Sequence, residues 1–308
     1  MHSARKTRLK DLKVRRQRKF GFGKLIIFGL FASVAIWLFT SSNHFAGENK
    51  LTITSPIGEG DVLVVTFDRK VGEVTSIKIP GDTEVSVAGQ LGNWRIKSVW
   101  QLGINEGVGG RLLAETVTKN FKFPVNAWTD SQGLGLMEES LAARLKAVFY
   151  PYDTNLGLGD KISLALFSLG VRNFDRVEVD LSDSSYLKKT RLKDGNEGYM
   201  ITSSMPQNLI VVFADSEMAV FGVRIILKNF SGDKTLSNDV AGVLEVLGGK
   251  VAASVDEQAE DKDCEVLAKK EIFAQKISRL FDCQIINEDP EGNFDLEVRV
   301  GRQFAKRF

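Results

Sequence analysis

The chain has 308 residues, 43% of them hydrophobic and 26% charged, which suits one or two folded domains and excludes collagen-like, disulfide-dense and low-complexity classes. Its formal net charge of +2 conceals an asymmetry: residues 1–24 carry ten Lys/Arg (Arg5, Lys6, Arg8, Lys10, Lys13, Arg15, Arg16, Arg18, Lys19, Lys24) against Asp11 alone. Taking these from the totals of 41 and 39 leaves 31 basic and 38 acidic side chains beyond residue 24, so the folded body is acidic and the tail basic.

In chain order, the basic tail 1–24 is followed by the run LIIFGLFASVAIWLFT at 25–40. About 20 apolar residues cross a bilayer as a helix. Lys24 can snorkel, Phe20, Phe22 and Ser41 extend the run, and Trp37 suits the far interface. The sequence therefore predicts a transmembrane helix at 25–42, with the N-terminus in the cytoplasm and the remainder outside. A cleaved signal peptide is the competing reading, but the tail is heavy for an n-region and Thr40-Ser41-Ser42 is a poor cleavage site. The tail's place directly before a span assigns its charge to topology and anionic lipid rather than to nucleic acid.

Residues 43–50 read as a linker. Segments 61–68 (DVLVVTFD) and 73–79 (EVTSIKI) predict a strand hairpin closed by Arg69–Gly72. Gly103, Gly107, Gly109 and Gly110 form a loop, not a G-x-G-x-x-G cradle, before a helix at 109–121 that carries Leu112, Leu113, Thr116, Val117 and Phe121 on one face. An extended segment at 124–129, helices at 136–148 and 160–169, and a strand at 176–181 follow. Beyond Gly222 the pattern is strand–helix–strand–strand–helix–strand, as in a small two-layer α/β domain. Its last strand, DLEVRV at 295–300, alternates as an edge or half-buried strand does.

The only histidines, His2 and His44, precede the folded part, which excludes Ser-His-Asp, Cys-His and H-E-x-x-H sites; no P-loop and no C-x-x-C is present. Cys264 and Cys283 bracket a predicted helix, and an even count outside the cytoplasm permits a disulfide, with two buried thiols as the alternative.

Two stretches together resemble the LytR-CpsA-Psr (LCP) family of bacterial cell-envelope proteins. Residues 58–130, with GEGDVLVVTFDRKVGEVTSIKIPGDTEV, WRIKSVWQLG and LLAETVTKNFKFPVNAWTD, look like that family's opening strand pair, its S-I-P-R-D-T turn, its K-I-N-x-A-Y helix start and its I-P-I-D strand. Residues 223–308, from VRIILKNFSG through LGGKVAASV to VRVGRQFAKRF, look like the LytR C-terminal domain. The resemblance implies a mixed α/β fold: an LCP-like α/β sandwich domain at 51–221 and a LytR C-terminal-like domain at 222–308.

It further implies Mg²⁺-dependent transfer of a glycopolymer from a polyprenyl pyrophosphate to peptidoglycan. Asp61 and Asp82 would be the catalytic and metal-holding carboxylates, with Arg95 in the place of the K-I-N lysine. Arg95, Lys97, Lys188 and Arg191 would hold the pyrophosphate. Two departures stand out: the turn arginine is Gly81, and the K-I-N asparagine is Lys97. The later arginine-rich segment has its nearest counterpart at 185–202, with Lys188, Lys189 and Arg191. Without bidentate arginines a pyrophosphate loses much of its stabilisation. The expected role is therefore an anchored cell-envelope protein that binds glycan, lipid-linked precursor, peptidoglycan or a wall-assembly partner with weak or no catalysis and no certain cofactor. An active LCP phosphotransferase is the alternative.

Overall fold

The computed structural model describes residues 50–202 and 205–308, preceded by Gly29 and Ser33 alone. The expected basic tail, and the expected span at 25–42 apart from those two residues, lie outside the described residues. Among the described residues no helix is long and apolar enough to cross a membrane.

Three strands, β1 (Lys50–Ile57), β2 (Asp61–Asp68) and β3 (Glu73–Ile79), form an antiparallel meander. The short pair β4 (Glu84–Ser86) and β5 (Asn93–Arg95) follows, then helices α1 (Val99–Asn105) and α2 (Arg111–Phe121). Next come β6 (Ala127–Trp128), α3 (Leu141–Phe149), α4 (Leu158–Gly170) and β7 (Arg176–Asp180). The five main strands lie in the order β6-β1-β2-β3-β7, the two outer ones parallel to their neighbours.

The period-2 alternation splits the apolar residues of this sheet between two faces. Val62, Val64, Ile77 and Ile79 pack on Leu112, Leu113, Val117 and Phe121 of α2. Val65, Phe67 and Val74 pack on Ala147, Val148 and Leu164 of α3 and α4. A helix–sheet–helix sandwich results, because both strand faces are apolar and each needs a cover. A hairpin of β8 (Leu187–Arg191) and β9 (Glu197–Ile201) follows, then α5 (Gln207–Phe213) and α6 (Ser216–Phe221).

The second sheet is built from β10 (Arg224–Phe230), α7 (Lys234–Val246), β11 (Lys250–Asp256), β12 (Cys264–Ala268), α8 (Glu271–Phe281), β13 (Gln284–Ile285), β14 (Leu296–Gly301) and α9 (Arg302–Arg307). Strand order is β11-β10-β14-β12-β13, and a separate core gathers Ile225, Leu227, Val240, Leu244, Phe273, Ile277, Val298 and Phe304. Cys264 and Cys283 are joined by a disulfide with Cα atoms 4.6 Å apart.

One expectation needs correction. The alternating strand near the C-terminus lies in the middle of the sheet, between β10 and β12, not at an edge. Its polar positions face protein rather than water. Glu297, fully buried, accepts from Arg299 Nε at 2.7 Å and lies 3.1 Å from Lys228 Nζ. Burial pushes the Glu297 carboxyl up, but the Glu291 backbone amide, Arg299 and Lys228 outweigh it, and its pKa falls below the usual value.

The two sheets meet through charge pairs. Lys122 reaches Asp239 at 2.6 Å, Arg307 reaches Glu115 at 3.3 Å, and the buried Lys276 pairs with Asp215.

Candidate functional site

Antiparallel pairing of β2 with β3 sets Val62 opposite Ile79, so Asp61 and the segment 80–83 emerge side by side at one end of the sheet. Asp61 Oδ1 accepts the Gly81 amide proton at 2.7 Å. The turn closes with Thr83 N–H donating to the Pro80 carbonyl at 3.0 Å, so Gly81 and Asp82 are its central residues. Gly81 is not at positive φ, so the turn is not of type II centred on Pro80-Gly81. Glycine is required for another reason: a Cβ at 81 would lie 2.6 Å from the Gly60 carbonyl oxygen and 3.1 Å from Lys97 Cβ. The position where the resembling motif has arginine is thus closed by backbone.

Beside this turn the charged side chains converge. Asp82 Oδ1 accepts from Arg95 Nη1 and from Lys97 Nζ, both at 2.7 Å. Those hydrogen bonds, Lys97 first and Arg95 second, hold the Asp82 carboxyl below its ordinary pKa. The other edge of Arg95 goes to Asp194 Oδ2, at 2.8 Å from Nη2 and 3.2 Å from Nε. Asp82 and Asp194 together raise the Arg95 pKa.

On the other side of Asp61, Lys78 Nζ lies 4.0 Å from Asp61 Oδ2 and 2.5 Å from Asp180 Oδ2. Burial raises the Asp180 carboxyl, yet bonds from Lys78 and Ser182 prevail and its pKa falls. Asp180, Lys78, Asp61, Asp82, Arg95 and Asp194 therefore make one charged rim. Below Lys78 and Asp180 opens a groove of about 420 Å³ with Leu63, Val74, Leu134, Met137 and Val179 on its walls.

Asp61, Asp82, Arg95 and Lys97, far apart in sequence, are brought together. Lys188 and Arg191 belong to the β8–β9 hairpin, whose Tyr199 amide donates to the Asp82 carbonyl at 3.2 Å. Lys188 is exposed on that hairpin, and Arg191 Nε is turned back to the Gly195 carbonyl of its own turn at 2.7 Å. Sequence reasoning missed Lys78, Asp180 and Asp194. Lys78 is the one cation in an otherwise apolar–polar strand, and Asp180 closes the strand predicted at 176–181, aligned with Lys78. Asp194 sits in the K-D-G-N turn, where nothing marks it as an arginine's partner.

The residues present do not fit a resident Mg²⁺. An all-oxygen cation site gathers several carboxylates around one point. Here the nearest charged neighbours of Asp61 and Asp82 are the cations Lys78, Arg95 and Lys97. No group of three potential ligands forms among the described residues.

No protein-family model and no curated protein matches the chain. Among solved structures it is similar to Bacillus subtilis TagV, at 11% identity over 66% of this chain and 99% of that one, with a TM-score of 0.41. It is similar to B. subtilis TagT at 14% identity over 51% and 86%, with a TM-score of 0.37. Lin1025 from Listeria innocua aligns at 13% identity over 54% and 96%, with a TM-score of 0.36. All three are LCP-family structures. TM-scores of this size transfer no property of those proteins to this chain.

Proposed function

We propose that this chain is a membrane-anchored, extracytoplasmic protein of cell-wall glycopolymer assembly that binds a glycopolymer or its polyprenyl-linked precursor with weak or no catalysis. The resemblance of residues 58–130 and 223–308 to LCP sequences, behind a basic tail and an apolar run, supports the setting. In this reading residues 222–308 serve as a LytR C-terminal-like domain contacting the wall or a partner protein.

The observation that carries the proposal is the saturation of the cations at the rim. Phosphoryl transfer is catalysed mainly by positive charge aimed at the oxygens that gain negative charge. Arg95 spends its guanidinium on Asp82 and Asp194, Lys97 points to Asp82, and Lys78 to Asp180. A pyrophosphate would have to break those pairs before gaining anything from them. The groove beside Lys78, within the size range of ligand pockets, joins an apolar strip of Leu63, Val74, Leu134, Met137 and Val179 to the polar Ser76, Glu138, Arg176 and Glu178, so the strip offers a place for a short part of a lipid chain.

The test is titration of undecaprenyl pyrophosphate onto the full-length chain in nanodiscs, with and without Mg²⁺, beside Asp194→Asn and Asp82→Ala. Weak, Mg²⁺-indifferent binding that tightens when Asp194→Asn releases Arg95 is the expected result. Tight, Mg²⁺-dependent binding abolished by Asp82→Ala, together with transfer to peptidoglycan, would replace this reading with an active phosphotransferase.

A further inference from the structure

The register of the first sheet fixes the end at which the chain enters it. Lys50 pairs with Asp68, Asp68 with Glu73, and Val74 with Arg176. The start of β1, the turn 69–72 and the approach to β7 therefore lie together, at the end opposite the charged rim. Two arginines bring helix ends to the same place. Arg176 donates from Nη1 to the Met137 carbonyl and from Nη2 to the Ser168 carbonyl, both at 3.0 Å, and the buried Arg144 of α3 reaches the Ser168 carbonyl at 3.4 Å. The start of α3 and the last turn of α4 are thereby tied to the entry of β7.

This end is apolar on its outside. Val71 on the turn, Leu141 and Leu145 on α3, Leu166 and Leu169 on α4, and Phe174 before β7 are each 50–71% exposed. Leu141 and Leu145 are four apart and Leu166 and Leu169 three apart, so each pair shares one outward face of its helix, while Ala147, Val148 and Leu164 cover the sheet. Scattered apolar side chains are ordinary on a surface, but six gathered at one end mark a contact surface. Arg172 lies over the Phe174 ring at 4.0 Å, its Nε bonded to Asp175 at 3.0 Å, an aromatic tip with a cation beside it that suits a lipid headgroup layer.

The length of chain before β1 says what covers this surface. The expected span ends at Ser42 and Lys50 follows eight residues on, a reach of about 28 Å at full extension. A unit of this size is about 40 Å across, so such a tether cannot bring the rim end to the bilayer. We infer that the end where β1 begins rests on the outer surface of the bilayer, with Phe174, Val71 and the outward leucines of α3 and α4 entering the headgroup layer. The inference rests on the anchoring in the preceding reading and not on its ligand. It holds the rim of Asp61 and Asp82 one strand length, about 25 Å, out from the surface. The groove beside Lys78 runs back from that rim to Val74 and Arg176, towards the bilayer.

The full-length chain in vesicles of phosphatidylcholine and phosphatidylglycerol tests it. Both native cysteines are held in the disulfide, so Phe174→Cys, Leu169→Cys and, at the rim end, Glu59→Cys each take a single nitrobenzoxadiazole label. Nitroxide-bearing lipids quench the labels at 174 and 169 by at least half and leave the label at 59 unquenched. Flotation of the same vesicles separates the two claims. A chain that floats with its labels at 174 and 169 unquenched, or with all three quenched alike, overturns the inference alone. A chain that does not float removes the anchoring and the inference with it. Quenching at 174 by a nitroxide-labelled second copy, and not by lipid, would assign the surface to a dimer and overturn the inference as well.

Discussion

Restoring the arginine that the resembling turn motif carries, by Gly81→Arg, is expected to unseat the turn rather than to create activity. The first side-chain carbon would lie 2.6 Å from the Gly60 carbonyl oxygen and 2.9 Å from its carbon, contacts that only backbone movement can relieve. Gly60 cannot easily yield, since it sits at φ +119° with Lys97 pressed against it. Overpacking of this kind costs about 1–3 kcal/mol. Displacing Gly81 also weakens its 2.7 Å bond to the half-exposed Asp61, for about 1 kcal/mol more. A total of about 3 kcal/mol lowers the melting temperature of a unit this size by about 6–12 °C. Tryptophan fluorescence during thermal unfolding reads the correct unit, because Trp94, Trp100 and Trp128 all lie in it. Gly81→Ala should show most of the loss, as the clash begins at Cβ. A wild-type melting temperature for Gly81→Arg, or a gain of transfer activity, would refute the claim that backbone packing closes this position.

Three other outcomes follow from the same structure. Replacing Cys264 and Cys283 by alanine opens a loop closed across 19 residues and should lower the stability of the second unit by about 2–4 kcal/mol, read by urea unfolding followed by circular dichroism. Lys276→Met leaves the buried Asp215 without its cation and should cost about 3–5 kcal/mol, visible as a lower unfolding midpoint. The Asp82 pKa is depressed by Lys97 and Arg95, so its contribution is present above the unfolded carboxylate value and is lost as pH falls through the folded one. Asp82→Asn should therefore differ from wild type at neutral pH and converge with it in acid; melting curves that stay equally separated at all pH values would contradict this.

Much of the architecture was legible in the residues. The hairpin of β2 and β3, the helix after the glycine loop and the β10–α7–β11–β12–α8–β14 succession follow from apolar periods of 2 and 3.6, which local burial imposes. The convergence of Asp61, Asp82, Arg95 and Lys97 was indicated only by the motif resemblance, and their pairing with one another was not. Strand β1 went unread because Leu51–Ile57 alternates with threonine and serine that the fold buries, Thr52 against Thr66 at 3.1 Å. The hairpin β8–β9 went unread because its cationic run KKTRLK is a signal for charge, not for pairing.

The sequence by itself determined the charge asymmetry, the β2–β3 hairpin, the helix after the glycine loop, the succession of elements beyond residue 222 and the absence of histidine from residues 50–308, because these depend on residue type and short-range period. Only tertiary structure decided that the alternating strand 296–301 lies at the centre of its sheet, between β10 and β12, where Lys228 of β10 reaches its buried glutamate across space. It alone decided that Gly81 is a packing requirement set by Gly60, and that Arg95 is consumed by Asp194, a residue 99 positions away. Such facts rest on distances between segments remote in the chain, which no local pattern encodes.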